Sequence, residues 1–427
     1  MASAKDKPVK PTVAEAAPAP AATTWAQLAK KNIKQTQPSA AGTGTANYTL
    51  SFHVPLIQPR GMLNSNNTCY MNAILQPLAH CPPFYNLFNT IGQRVAFSFN
   101  SETPLVESMV MFVKEFQELA AIKELDPFTP EYVYETLRQL KKFDSLRGRQ
   151  EDADEFLGSL LDTLHEEFDQ ARRKHQEAME KQQNGTKSGR HEADGDDTWL
   201  EVGKKQKTCQ TRTMDMNESP ISRMFWGKIR SVVKRPGSRD SATLEPFRSL
   251  HLDISSPHIH SVEDALLQLA AIEELDISTS THAHENQLQD LPPMLVLHIK
   301  RFHYDPELGT QKLRRRIAYE MMAPSRRDKP PTYLLVGVVY HHGQYTAGGH
   351  YTCDVRRQDG QWIRINDTVI EPISESDVCV GAATPSSSMG AAEVPSLVHG
   401  QGEWDGWSRT TEGDAYLLFY MDASLYT

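Results

Sequence analysis

The chain has 427 residues, with 45 Lys and Arg against 54 Asp and Glu, a net charge of −9 and a pI near 6.0. That balance argues against nucleic acid as the main partner, because phosphate neutralisation needs a basic excess, and it mildly favours a basic partner. Apolar runs such as Met294–Leu297 and Leu334–Val339 fall well short of the ~20 residues of a membrane span, and no apolar stretch follows Lys5, Lys7 and Lys10 as it would in a secretory leader.

In chain order, residues 1–53 are rich in Ala, Pro, Thr and Lys without an apolar period. They read as a disordered tail, which buries too little surface to offset its ordering entropy. Within it, Trp25–Lys30 reads equally as a protein-docking motif or as a stray Trp. Globular patterning runs from 54 to 422. In Gly61–Leu78 (GMLNSNNTCYMNAILQPL) the capping types Asn66, Asn67 and Thr68 precede a helical stripe of Met71, Ile74, Leu75 and Leu78. Cys69 then falls in the first turn and off the stripe, where the positive helix end favours thiolate. Position alone leaves a nucleophile and a buried small hydrophobe equally open, because free Cys is among the most buried residue types. Pro77 is expected to kink or end this helix. Pro104–Ala121 predicts an amphipathic helix on Leu105, Met109, Phe112, Val113, Phe116 and Leu119. Glu151–Phe168 predicts another on Phe156, Leu157, Leu160, Leu161 and Leu164, fraying through the charged, Gln-rich 169–198.

The second half reads as strands: Met294–Phe302, Tyr333–His341, His350–Arg357, Gln361–Asn366 and Ala415–Tyr420. Polar interruptions fall at 276–290 and 377–413, the latter a loop inserted before the final strand. Helices first and strands afterwards predict an α+β fold, a helical lobe against a mostly antiparallel sheet. A nucleophilic Cys needs a base, and His350 stands out because Gly348 and Gly349 before it let another backbone approach closely. Asn366 and Asp367 can each accept a hydrogen bond from His350. A three-residue loop Gln358–Asp359–Gly360 would pair Arg357 with Gln361 and bring Asn366 to the face of His350. A two-residue loop would reverse the parity and favour Asp367. In the three-residue register Tyr351, Cys353, Val355, Ile363 and Ile365 point to the other face, and Asp367 with them.

Six ordered segments carry a family resemblance: Gly61–Leu78, Gln150–Phe156 (QEDADEF), Leu295–Phe302 (LVLHIKRF), Gly348–Thr352, Trp362–Asp367 and Ala415–Tyr420 (AYLLFY). On these the chain resembles the ubiquitin-specific proteases, papain-like deubiquitinating enzymes, over roughly Leu56 to Met421. The resemblance implies a helical thumb, a β-sheet palm and β fingers at about 200–255. It also implies thiol-dependent cleavage at the C-terminal Gly of ubiquitin by Cys69, His350 and Asn366, with Asn64 helping to hold the oxyanion and Asp367 as second candidate for the third position. Ubiquitin ends in Arg-Leu-Arg-Gly-Gly, and the resemblance assigns Gln150, Asp152 and Glu155, with Gly348, Gly349 and Tyr351, to its tail. By spacing alone, Asp152 and Glu155 share a helical face and read first as complements of the helix dipole. The family's usual Gly three residues before the nucleophile is Asn66 here, and Asn is tolerant of left-handed backbone. Asn66 or Pro77 spoiling the nucleophile geometry would leave the alternative, a catalytically impaired ubiquitin-binding scaffold. Many family members hold a structural zinc between two Cys-x-x-Cys pairs; none occurs here, so no metal and no cofactor are assigned. Five widely spaced cysteines fit a reducing compartment, cytoplasmic or also nuclear.

Overall fold

The computed structural model describes residues 49–53, 55–65, 67–94, 102–116, 125–140, 150–183, 199–202, 209–213, 217–234, 241–271, 273–277, 280–307, 309–320, 332–345, 348–378 and 413–425. The Trp25 motif, Asn66, most of the 377–413 insertion and the end of the helix expected to Ala121 lie outside these residues.

Five helices build the first lobe: α1 (Cys69–Ala79), α2 (Pro82–Arg94), α3 (Pro104–Lys114), α4 (Glu131–Gln139) and α5 (Ala153–Gln183). Every residue of α1 is buried, so the stripe seen in the sequence is one side of a helix enclosed all round. Pro77 lies within α1, which ends two residues later at Ala79, as a missing N–H near a C-terminus allows. The expected side-chain cap from Thr68 is not made; the carboxamide of Asn64 accepts the Thr68 N–H instead, at 2.9 Å. The N-terminus of α3 is satisfied from outside as well, where the Glu167 carboxylate of α5 accepts the N–H groups of Leu105 and Val106 at 3.0 and 2.8 Å. Helix α5 begins at Ala153, because Asp152 ahead of it caps the N–H groups of Asp154 and Glu155 at 2.8 and 3.2 Å.

The remaining elements are β1 (Trp199–Val202), β2 (Cys209–Thr213), α6 (Pro220–Phe225), β3 (Gly227–Lys234), β4 (Ser241–Phe247), β5 (Ser249–Asp253), α7 (Val262–Leu269), β6 (Glu273–Ile277), β7 (Ser280–Asp290), β8 (Met294–Lys300), β9 (Phe302–Asp305), β10 (Gly309–Lys312), β11 (Tyr333–Tyr345), β12 (Gly348–Arg356), β13 (Trp362–Asn366), β14 (Val369–Ile373), α8 (Glu375–Val378) and β15 (Asp414–Asp422). A seven-stranded sheet runs β14-β13-β12-β11-β15-β8-β5, antiparallel except for β5 beside β8. It is buried on both faces. Leu417, Phe419 and Met421 of β15 join the core under the helices, while Leu418 and Tyr420 join the core under α7. Two-sided burial is the reason β15 reads as an unbroken apolar run.

A six-stranded sheet, β1-β2-β4-β3-β7-β6, forms a separate layer with one parallel pair, β2 beside β4. Two expectations are corrected here. The second sheet extends past 255 to Asp290, and β5, inside the expected range, belongs to the seven-stranded sheet. Within 276–290, Ser280–Asp290 is not an interruption but a strand, because β7 pairs along β3 with Ile229↔Leu288 and Val233↔His284 in register. The strand reads as polar because its residues from His284 onward are half-buried and none is fully buried, which leaves no apolar alternation to see. Among the described residues, no helix is long and apolar enough to cross a membrane.

Candidate active site at the seam of helices and sheet

The β12–β13 hairpin sets one side of the site. Arg357 donates to Gln361 O at 2.8 Å, Gly360 donates to Arg357 O at 2.9 Å, and Gly360 takes φ +85°, which is the three-residue loop. The ladder follows with Arg356↔Trp362 and Cys353↔Ile365, and Tyr351, Cys353, Val355, Ile363 and Ile365 are buried against the helices. His350 Nε2 lies 2.7 Å from Asn366 Oδ1 and 3.9 Å from the nearer Asp367 oxygen. With Asn366 Oδ1 accepting, Nε2 carries the hydrogen and a neutral ring keeps its lone pair on Nδ1. Gly349 takes φ +151°, and a Cβ there would come within 2.1 Å of His342 O, so the strand itself demands glycine. A Cβ on Gly348 would meet open space, which leaves room for an incoming backbone.

The helical side is set by side-chain hydrogen bonds. Helix α1 packs on β12, and Cys69 opens it. The Cys69 thiol is 2% exposed. Burial pushes it up to about 11, with the Asp367 carboxylate adding to the rise; the N–H groups of Tyr351, Tyr70 and Cys69 oppose it. Desolvation therefore opposes the helix terminus that favours thiolate, which places the burden of deprotonation on a base. Cys81 and Cys353 are buried and raised by desolvation as well, Cys81 to about 12. Gln150 is buried with its amide 3.7 Å from Cys69 Sγ, so it sits on the nucleophile.

Asp367 is bound into the helical side. At φ +51° in the β13–β14 turn it accepts from Asn64 Nδ2 at 3.1 Å and Asn72 Nδ2 at 2.9 Å, while its own carbonyl accepts Met62 N–H at 2.9 Å. Tyr134 Oη in turn donates to Asn72 Oδ1 at 2.7 Å. Sequence reasoning missed Asn72 and Tyr134; the signal was an Asn one turn after Cys69. Asn64 has one amide hydrogen engaged by Asp367, which leaves a second for an oxyanion.

Among the residues assigned to a substrate tail, the expected shared face is corrected. Asp152 and Glu155 do not share a helical face: Asp152 is the cap of α5 and its second oxygen accepts from Tyr416 Oη, while Glu155 is exposed. The Tyr351 side chain turns into the core between His341 and Tyr416, so only its backbone reaches the site.

Residues 60–420 match the family described as Ubiquitin carboxyl-terminal hydrolase. The chain is 39% identical over 94% of its length to Probable ubiquitin carboxyl-terminal hydrolase 3 of Schizosaccharomyces pombe, covering 85% of that protein. It is 37% identical over 76% of its length to Ubiquitin carboxyl-terminal hydrolase 10 of Rattus norvegicus, of which it spans 47%. Among solved structures it resembles the yeast SAGA DUB module, with a TM-score of 0.57 and 20% identity over 85% of this chain and 68% of the other. A structure of that module bound to monoubiquitin gives a TM-score of 0.58 at 21% identity, covering 85% of this chain and 69% of the other. The shared fold is that of the ubiquitin-specific proteases.

Proposed function

Because the chain belongs to the ubiquitin carboxyl-terminal hydrolase family, we propose that it is a thiol-dependent deubiquitinase that hydrolyses the isopeptide or peptide bond at the C-terminal Gly of ubiquitin. The observation that carries this reading is the 2.7 Å contact of His350 with Asn366, next along the strand from the residue whose N–H reaches the Cys69 sulfur. In this reading Asn366 fixes the imidazole through Nε2, and the lone pair on Nδ1 serves as the base. His350 takes the Cys69 proton as the thiolate attacks the Gly carbonyl, then gives it to the leaving amine. The oxyanion is held by N–H groups at the start of α1 and by the second amide hydrogen of Asn64. Water, activated by His350, hydrolyses the thioester and restores the thiol. The open Gly348 passage admits the Gly-Gly end, and Glu155 offers an exposed carboxylate to the Arg residues behind it.

The test is turnover of a fluorogenic ubiquitin C-terminal amide, with labelling by a ubiquitin probe bearing a C-terminal electrophile. Turnover that is lost in Cys69→Ala, with label on Cys69 alone, supports the reading. Ubiquitin binding without turnover by the unaltered chain would establish the scaffold alternative instead.

A further inference from the structure

Outside the site just described, two imidazoles and a carboxylate converge from three elements. In the parallel pair β5/β8 the register sets His251 directly opposite His298, so both rings leave the same sheet face. Asp154, in the first turn of α5, is held over them. Its Oδ2 lies 2.9 Å from His251 Nε2 and 3.3 Å from His298 Nδ1. The three ligand atoms all fall within 4.8 Å of one another. Ser249 Oγ also approaches His251 Nε2, at 3.2 Å.

As an ordinary hydrogen-bonded cluster this arrangement is poorly satisfied. Two rings crowd one carboxylate oxygen, with His298 Nδ1 only loosely placed on it at 3.3 Å, and His298 Nε2 is buried without a hydrogen bond. As a metal site it is nearly formed. A tetrahedral zinc with ligands at about 2.0–2.1 Å has neighbouring ligand atoms about 3.3 Å apart. Two of the three edges stand at 2.9 and 3.3 Å, and the third, between the two rings, is no more than 4.8 Å. The surroundings suit such a site. The side chains of Asp154 and His298 are 13% exposed, while His251 is 52% exposed and opens an entry path. The ring of Tyr416, itself bonded to Asp152, packs edge-on against His298 at 4.6 Å and fixes its plane.

We propose that Asp154, His251 and His298 form a binding site for a divalent transition metal of zinc type, with water in the fourth position. The bound ion ties the N-terminus of α5 to β5 and β8 and so fastens the helical lobe to the seven-stranded sheet. The inference does not rest on the catalytic reading, because none of the three groups is assigned a part in it.

The test uses the full chain with Zn2+ and, as a spectroscopic probe, Co2+. One equivalent of Zn2+ is expected by equilibrium dialysis, and Co2+ is expected to give a tetrahedral visible spectrum without a sulfur charge-transfer band. His251→Gln, at a half-exposed position that leaves the fold intact by circular dichroism, is expected to weaken binding at least about tenfold, the scale seen when even outer partners of a metal are lost. Zn2+ should raise the unfolding temperature of the unaltered chain and not that of His251→Gln. Cys69→Ala should bind as the unaltered chain does. Binding indifferent to His251→Gln, a sulfur band abolished by Cys69→Ala, or no stoichiometric binding at all would overturn the proposal.

Discussion

The two sides of the site are built by different physics. On the strand side, Asn366 meets His350 because a three-residue turn fixes the register, and the period of two then assigns every side chain to a face. On the helical side, Cys69, Gln150, Asn64 and Asn72 are placed by contacts between residues far apart in the chain, converging on Asp367 and the sulfur. The strand side is thus a matter of local counting, whereas the helical side depends on the whole lobe being folded. Position on the first side tolerates little choice of residue in the turn; reactivity on the second depends on burial.

The sharpest way to break this contrast is the pH dependence of Cys69. With the thiol pushed up to about 11, alkylation of Cys69 by a small uncharged electrophile should be slow at neutral pH. It should then rise about tenfold per pH unit, roughly a thousandfold between pH 7 and 10, as the thiolate fraction grows. A plateau near neutrality would mean that His350 already holds the proton in the free protein. The next largest effect lies on the strand side, behind the hairpin. Arg364 makes a paired contact with the fully buried Asp354 at 2.8 and 2.7 Å, and Tyr340 Oη adds a third bond at 3.0 Å. Arg364→Met is expected to destabilise the chain by about 3 kcal/mol in urea unfolding, because a buried carboxylate loses its cation. An unchanged midpoint would mean that the hairpin does not need its polar face.

Smaller still is the comparison of adjacent residues. Asn366→Ala should lower kcat by roughly tenfold or more, about 1.4 kcal/mol, through a misaligned imidazole. Asp367→Ala should affect kcat less and stability more, since it frees Asn64 and Asn72. The reverse ranking of kcat would make Asp367 the orienting residue. The smallest expected effects separate the two carboxylates at the start of α5. Asp152→Ala should lower stability by about 1 kcal/mol as a lost cap. Glu155→Arg should leave stability unchanged and raise KM for a ubiquitin substrate a few-fold with kcat preserved. A kcat defect in Glu155→Arg would place that residue in support of the site rather than on the substrate tail.

The same contrast marks how much was legible beforehand. The hairpin register was readable from Gln358–Asp359–Gly360 and the alternation around it, down to the inward course of the Tyr351 side chain. Burial on both faces is what makes the runs AYLLFY and LVLHIKRF unbroken, and the strands of the central sheet were readable in them. The protonated state of Cys69 was not, because helix position is local while desolvation comes from β12 and the rest of the lobe. Asp152 was misplaced by two residues of helix boundary, enough to turn a surface charge into a cap. Strand β7 was hidden because a half-buried polar strand has no hydrophobic period to detect.

Helix α5 carries one more consequence. At 31 residues it extends about 46 Å at 1.5 Å per residue, yet among its described side chains burial ends at Asp169. Ala153, Phe156, Leu157, Leu160, Leu161 and Leu164 are enclosed, whereas from Gln170 onward most described side chains are exposed and the contacts are ion pairs such as Asp169–Arg172 and Lys174–Glu102. A single rod therefore spans two regimes of hydrogen exchange. Amides near Leu160 should open only when the whole lobe unfolds, and those past Lys174 should exchange by local fraying with little protection. Read along its length by exchange, α5 is a ruler for where the cooperative unit of this protein ends.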